Sequence, residues 1–254
     1  MEYEYFWWDL EKSEFKGILY ESIGMYFLHD HPYTCWEDFQ SADPHIAYAY
    51  LTRIRFDMLE ELFVDLRVIP QMLCIQDLPL KSNVRNINRY EWIKSIMDLT
   101  LFRFSSIRDV TYHLINQLLE LGIEDHRLNL KSLKKFIGES HTKVVNVLIK
   151  IEAAGNHLRK DRNSRAHKGF SYLFTDDDQL FKIMSVSEEI RPDMKCEEYD
   201  IKTIYQSSCD DLYSQLTNEV NKLLELVVEV VDGLVDDYNK KYMEYRKISI
   251  RCIR

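Results

Sequence analysis

Fourteen residues, HLRKDRNSRAHKGF from His157 to Phe170, gather five basic side chains and two histidines in a chain whose net charge is −9. Within them Arg162-Asn163-Ser164-Arg165-Ala166-His167 sets a histidine five positions after an arginine. The types suit phosphate chemistry. Histidine, with a reference pKa of about 6.5, serves as base or acid near neutrality. Arginine offers planar, permanently charged donors that match phosphate oxygens. Arg159, Lys160, Arg165 and Lys168 flank the pair and could hold neighbouring phosphates.

Spacing alone is weak. Composition predicts about 1.4 chance occurrences of an Arg followed by His after four to six residues, and roughly 0.06 when Asn must follow the Arg. Arg108 and His113 repeat the bare spacing. The bland reading of the basic stretch is a helix C-terminus whose cations answer the macrodipole and cap carbonyls. That reading explains the cations but not the Asn or the His-x-Gly that follows. Between Arg127 and Lys168 eleven Lys/Arg stand against three Asp/Glu, a local +8 that leaves −17 for the rest. Such a stripe either attracts phosphate at one place or is a solvated helix face.

The elements that would position these residues read as helices. Seven Gly and five Pro in 254 residues are too few for the turns of a sandwich or barrel. The pattern predicts a helix over Ser13–Asp30, then a loop broken by Pro32 and Pro44. Ser41 or Asp43 caps a strong amphipathic helix over Ile46–Ile69 that Pro70 ends. Irregular Cys74–Arg89 marks a boundary, giving an N-terminal helical region 1–89 and a bundle 90–254. Two helices follow, over 90–104 and 105–121, the second capped by Ser105 or Ser106 and closed by Gly122 as C′ residue. A short piece stops at Gly138. A helix with Ser140 as N-cap then places Val144, Val147, Leu148, Ile151 and Ala154 on one face and leads into the basic stretch. Ser171–Ser208 reads as a connecting excursion. One long terminal helix, Asp210–Tyr245, carries an apolar seam at 216, 220, 223, 227, 231, 234 and 238. The architecture is an all-α bundle.

RNSRAHKG, set between long helices of an all-α chain, resembles the signature of the HEPN superfamily of helical nucleotide-binding and ribonuclease domains. The resemblance covers about Tyr90 to Tyr245. Many members are metal-independent endoribonucleases, toxins or antiviral effectors that act as dimers; others have lost catalysis and serve as binding or partner modules. The resemblance implies that Arg162 and His167 form the catalytic pair, with Asn163 the polar residue that commonly follows the Arg. RNA would be the substrate, cleaved by its own 2′-OH without cofactor or metal. A homodimer through the motif-bearing face would bring two His and two Arg together, and an antitoxin or defence-system protein would be the partner. Five residues on a continuous helix turn about 140° past one full turn, so Arg162 and His167 would not share a helix face.

Other candidates carry less. Asp109 and His113 lie one helical turn apart and could assist as auxiliary residues, or form a surface pair. His29, His31, Cys35 and His45 are too loosely spaced for a convincing metal site, so none is expected. Trp7, Trp8, Trp36 and Trp92 suit core or interface better than base stacking, and Asp176–Asp178 suits a solvated turn. No P-loop, G-x-G-x-x-G or G-x-S-x-G is present. Five dispersed cysteines fit reduced thiols, and no apolar run approaches the roughly 20 residues of a bilayer span. A cytoplasmic location away from the membrane is expected.

Overall fold

The computed structural model describes residues 10–27, 43–78, 80–81, 86–138, 141–154, 178–190 and 200–252. Among them are eight α-helices: α1 (Glu14–Phe27), α2 (Pro44–Gln71), α3 (Arg89–Leu118), α4 (Leu130–Ile137), α5 (Thr142–Ala153), α6 (Asp178–Ile190), α7 (Ile201–Asp232) and α8 (Val235–Cys252). The one extended pairing among the described residues is a bridge between Leu80 and Ile87. None of these helices is long and apolar enough to cross a membrane.

The described residues fall into two compact units. The first draws on Met1–Val64, Ser106–Ala154 and Lys222–Arg254, the second on Asp65–Ser105 and Gly155–Asn221. In the first, aromatic rings centre on Tyr238 of α8, which meets Phe15 of α1 edge-on at 5.4 Å and stacks on Tyr48 of α2 at 5.5 Å. The Tyr48 hydroxyl donates to the Leu118 carbonyl at 2.7 Å, which satisfies an orphan carbonyl at the end of α3. Asp232, the last residue of α7, caps α1 from a distance: its Oδ1 accepts from the Ser13 hydroxyl at 2.6 Å and the Phe15 N–H at 3.2 Å. Lys16 and Tyr20 of α1 reach Glu60 of α2, and Tyr20 also donates to Asp57.

In the second unit Ile69, Leu73, Ile93, Ile96, Phe181, Tyr205 and Leu216 share one core. Arg89, only 2 % exposed, lies against it. Its guanidinium donates to both Glu188 oxygens, at 2.9 and 3.2 Å, and to the carbonyls of Gln76 and Leu78, with the Tyr205 ring 4.7 Å beneath. A buried cation survives only when its donors are answered this fully. Trp92 packs on the same core and donates to the Met72 carbonyl, an architectural role as its sequence context suggests.

Several boundaries differ from expectation. Pro70 lies inside α2, whose helical path runs one residue further and then tightens into a 3₁₀ turn, Met72–Cys74. The proline forfeits a bond only in the final turn, where buried Ile69 and Leu73 hold the chain. The two helices expected around Ser105 are one, α3. Ser105 bonds back to the Phe102 carbonyl instead of capping a new start. Glu120, with φ 50°, is the C′ residue in place of Gly122: the Leu121 and Glu120 N–H groups donate to the Asn116 and Gln117 carbonyls in a Schellman pattern. Its carboxylate accepts from Lys241 and Tyr245 of α8.

The Ser171–Ser208 excursion contains α6 and the start of α7, while the long terminal helix is broken at Gly233 into α7 and α8. A Cβ at Gly233 would meet the Val144 side chain at 3.3 Å and the Glu229 carbonyl at 3.1 Å, so glycine permits this close approach of α5. Gly138, φ 69°, stops α4 as expected. All seven seam residues, Leu216 to Tyr238, are buried, as are Val144, Val147, Leu148 and Ile151.

Arg89→Ala would leave Glu188 without its counter-charge inside the second unit. A loss of about 3–5 kcal/mol is expected on chemical denaturation. Arg89→Lys should recover little of it, because an ammonium cannot answer both carboxylate oxygens and two carbonyls at once.

Candidate functional site

The motif residues Arg162, Asn163 and His167, and the flanking Arg159, Lys160, Arg165 and Lys168, lie outside the described residues. The chain on either side is described. Helix α5 ends at Ala153, with Ala154 extended at ψ 133°, and α6 begins at Asp178.

At the last turn of α5 the side chain of Glu152 joins two residues of α3. Tyr112 donates to its Oε2 at 2.6 Å, and Arg108 Nη1 donates to its Oε1 at 3.3 Å. Arg108 and Tyr112 are four residues apart, so one face of α3 presents both to the same carboxylate. Arg108 also holds Asp109 through Nε at 2.8 Å and Nη2 at 2.7 Å. Burial works against the arginine's charge, but the hydrogen bond and charge of Asp109 and the charge of Glu152 outweigh it. The guanidinium is held above its ordinary range. Glu152 thus ties the end of α5, three residues before Gly155, to α3. Local sequence gives no hint of this role, although Glu152 is one of only three carboxylates in the basic stretch 127–168.

These residues line an open cleft of about 520 Å³, completed by the loop before α4 and by Lys131 and Lys134 of α4. Asn129 caps α4 in a reciprocal box: its side chain accepts from the Ser132 N–H, and the Ser132 hydroxyl accepts from the Asn129 N–H.

The expected auxiliary pair is not brought to one place. Asp109 is held by Arg108 in this cleft, whereas His113 faces Asp125 at 3.6 Å in a separate pocket of about 260 Å³ that Arg55 and Glu120 also line. The chance match Arg108–His113 therefore splits between two clefts, as five residues on a continuous helix must. Of the loose metal candidate, His29, His31 and Cys35 lie outside the described residues. His45 is buried, its Nδ1 3.2 Å from the Ser249 hydroxyl and its ring edge-on to Tyr242. Burial pushes its imidazole below 6.5, which favours the neutral ring. No group of three or more His, Cys, Asp or Glu that could hold a metal ion is found among the described residues. Ser140, Trp7, Trp8, Trp36, Asp176 and Asp177 are outside them; His141 stands at the start of α5 and pairs with Asp237 of α8 at 2.8 Å.

Eight α-helices among the described residues, with a basic R-N-x-x-x-H segment carried in the chain between α5 and α6, fit one class of helical domain. The family model described as HEPN_Cthe2314-like HEPN matches residues 79–239, more than half of the chain. The protein belongs to this HEPN family. No curated protein and no solved structure matches it. The match begins after α2 and ends within α8, so α1 and α2, which pack around Tyr238, precede it.

Tyr112→Phe removes the shortest hydrogen bond to Glu152. Because the Glu152 side chain is 37 % exposed, the loss should be only about 1 kcal/mol in thermal or chemical unfolding. Glu152→Ala, which also removes one of the two carboxylates paired with Arg108, should cost more than Tyr112→Phe in the same measurement.

Proposed function

We propose that the protein is a metal-independent endoribonuclease of HEPN type, serving as a toxin or antiviral effector in the cytoplasm. The observation that carries this reading is an Arg162-Asn163-x-x-x-His167 motif inside a chain segment that belongs to the HEPN family. In this reading residues 90–254 form the catalytic bundle. Residues 1–89 are an added helical region that restricts substrate access or supports the dimer.

The chemistry needs no external nucleophile. The ribose 2′-oxygen attacks the adjacent phosphorus while the bond to the 5′-oxygen breaks, which leaves a 2′,3′-cyclic phosphate and a free 5′-hydroxyl. One histidine takes the 2′-OH proton and another gives a proton to the departing 5′-oxygen. A single chain supplies one His167, so a homodimer joined through the motif-bearing face provides base and acid together. Arg162 donates to the non-bridging oxygens as charge builds on phosphorus, and Asn163 contributes a neutral hydrogen bond. Arg159, Lys160, Arg165 and Lys168 hold neighbouring phosphates. An antitoxin or defence-system protein restrains the activity.

The test compares wild type and His167→Ala on mixed RNA in EDTA. Wild type should release fragments with 2′,3′-cyclic phosphate ends, and His167→Ala should lose at least about 100-fold in rate, the usual contribution of a positioned acid or base. Equal cleavage by both would refute the assignment. Absence of cleavage by both would favour a silent nucleotide-, RNA- or partner-binding HEPN module.

A further inference from the structure

The basic stretch begins well before the motif, and the structure separates its described cations by where they face. Lys131 and Lys134 line the cleft of about 520 Å³ formed with α3 and the end of α5, whereas Arg127, Lys135, Lys143 and Lys150 do not. From this separation we infer that the cleft is a phosphate subsite for the RNA strand, built from residues remote from the motif in sequence. The inference rests on the endoribonuclease reading and adds to it a substrate-binding role for α4.

The charge arrangement carries it. Two carboxylates line the cleft, and both are already engaged: Asp109 by Arg108, and Glu152 by Arg108 and Tyr112. Lys131 and Lys134 form no ion pair with any described residue, and both are exposed. They stand three residues apart on α4, so one helix face presents both ammonium groups. Among the described residues, the cleft therefore holds two cations whose charge nothing around them cancels. The first turn of α4 adds the positive end of a helix dipole, with Leu130 and Lys131 lining the cleft and Asn129 occupying only the Ser132 N–H. Its volume falls in the roughly 300–1,000 Å³ range of ligand sites, enough for a nucleotide-sized portion of a strand. Glu152 stands at one wall of the cleft.

The test measures binding of a short fluorescent single-stranded RNA in the His167→Ala background, which prevents turnover, over about 50–200 mM salt. Lys131→Ala/Lys134→Ala is compared with Lys143→Ala/Lys150→Ala, a pair of exposed lysines on α5 outside the cleft. The cleft pair should weaken binding and flatten the dependence of log K on log salt by roughly 1.4, or about 0.7 for each phosphate that is no longer neutralised. The α5 pair should do neither to the same extent. Equal effects from both pairs would reduce the lysines to non-specific attraction and overturn the subsite, as would no effect from the cleft pair. The wild-type cleavage assay keeps the two readings apart. Cyclic-phosphate ends with an inert cleft pair remove the subsite and leave the nuclease, whereas RNA bound by neither pair nor parent protein removes the subsite whatever the nuclease does.

Discussion

Burial of one apolar seam is the constraint on which the rest of the structure depends. Leu216, Val220, Leu223, Val227, Val231, Leu234 and Tyr238 step along α7 and α8 at intervals of three and four, and all seven are sealed from water. Each such side chain contributes about 1.5–3 kcal/mol as an upper estimate. No helix on its own could bury that surface, so others must lie along it. Gly233 interrupts the seam without exposing it: lacking a side chain, it admits Val144 of α5 where a Cβ would crowd. The same junction brings Asp232 to the start of α1, so a break in one helix supplies the cap of another.

Polar interactions then decide where charge is kept and where it is left over. Arg89 is buried and spent, its guanidinium divided between Glu188, two carbonyls and a ring. Arg108 is likewise committed to Asp109 and Glu152, and the bond to Glu152 fixes the last turn of α5 just before the basic segment. What remains uncommitted among the described residues of that cleft is Lys131 and Lys134, on a short capped helix. Within this cleft the arginine is neutralised and, among the described residues, the two lysines are not. Net charge alone hides this arrangement.

How much of this was readable from the sequence depended on whether a signal had one physical meaning. The seam was readable because its three- and four-residue steps run through polar surroundings, and the helical class followed from it. Helix α6 was not, since its apolar residues lie on two sides: Phe181 is buried, while Leu180, Ile183, Val186 and Ile190 are exposed, so no single amphipathic stripe emerges. Ser105 looked like a cap because serine has two uses, and bonding back to Phe102 is the other. Gly122 drew the C′ assignment that belongs to Glu120, whose carboxylate is held by Lys241 and Tyr245, residues more than a hundred positions away. For the site, Arg162-Asn163 and His167 stand out in the sequence because an uncommon combination of residue types lies in a basic context. Glu152 was missed because its meaning comes from Arg108 and Tyr112, which local sequence does not place beside it. Asp109 and His113 share a helical turn by their numbering, but each found a nearer partner.

The central claim is that the chain's chemistry runs through a ribose hydroxyl. Its most direct measurement offers the wild-type protein two strands of identical sequence in EDTA, one of RNA and one with 2′-deoxyribose throughout, and follows the ends formed. Scission of the ribose strand alone, leaving cyclic phosphates, is the result this account predicts. Scission of both strands at comparable rates would contradict it, because the deoxyribose strand carries no internal nucleophile.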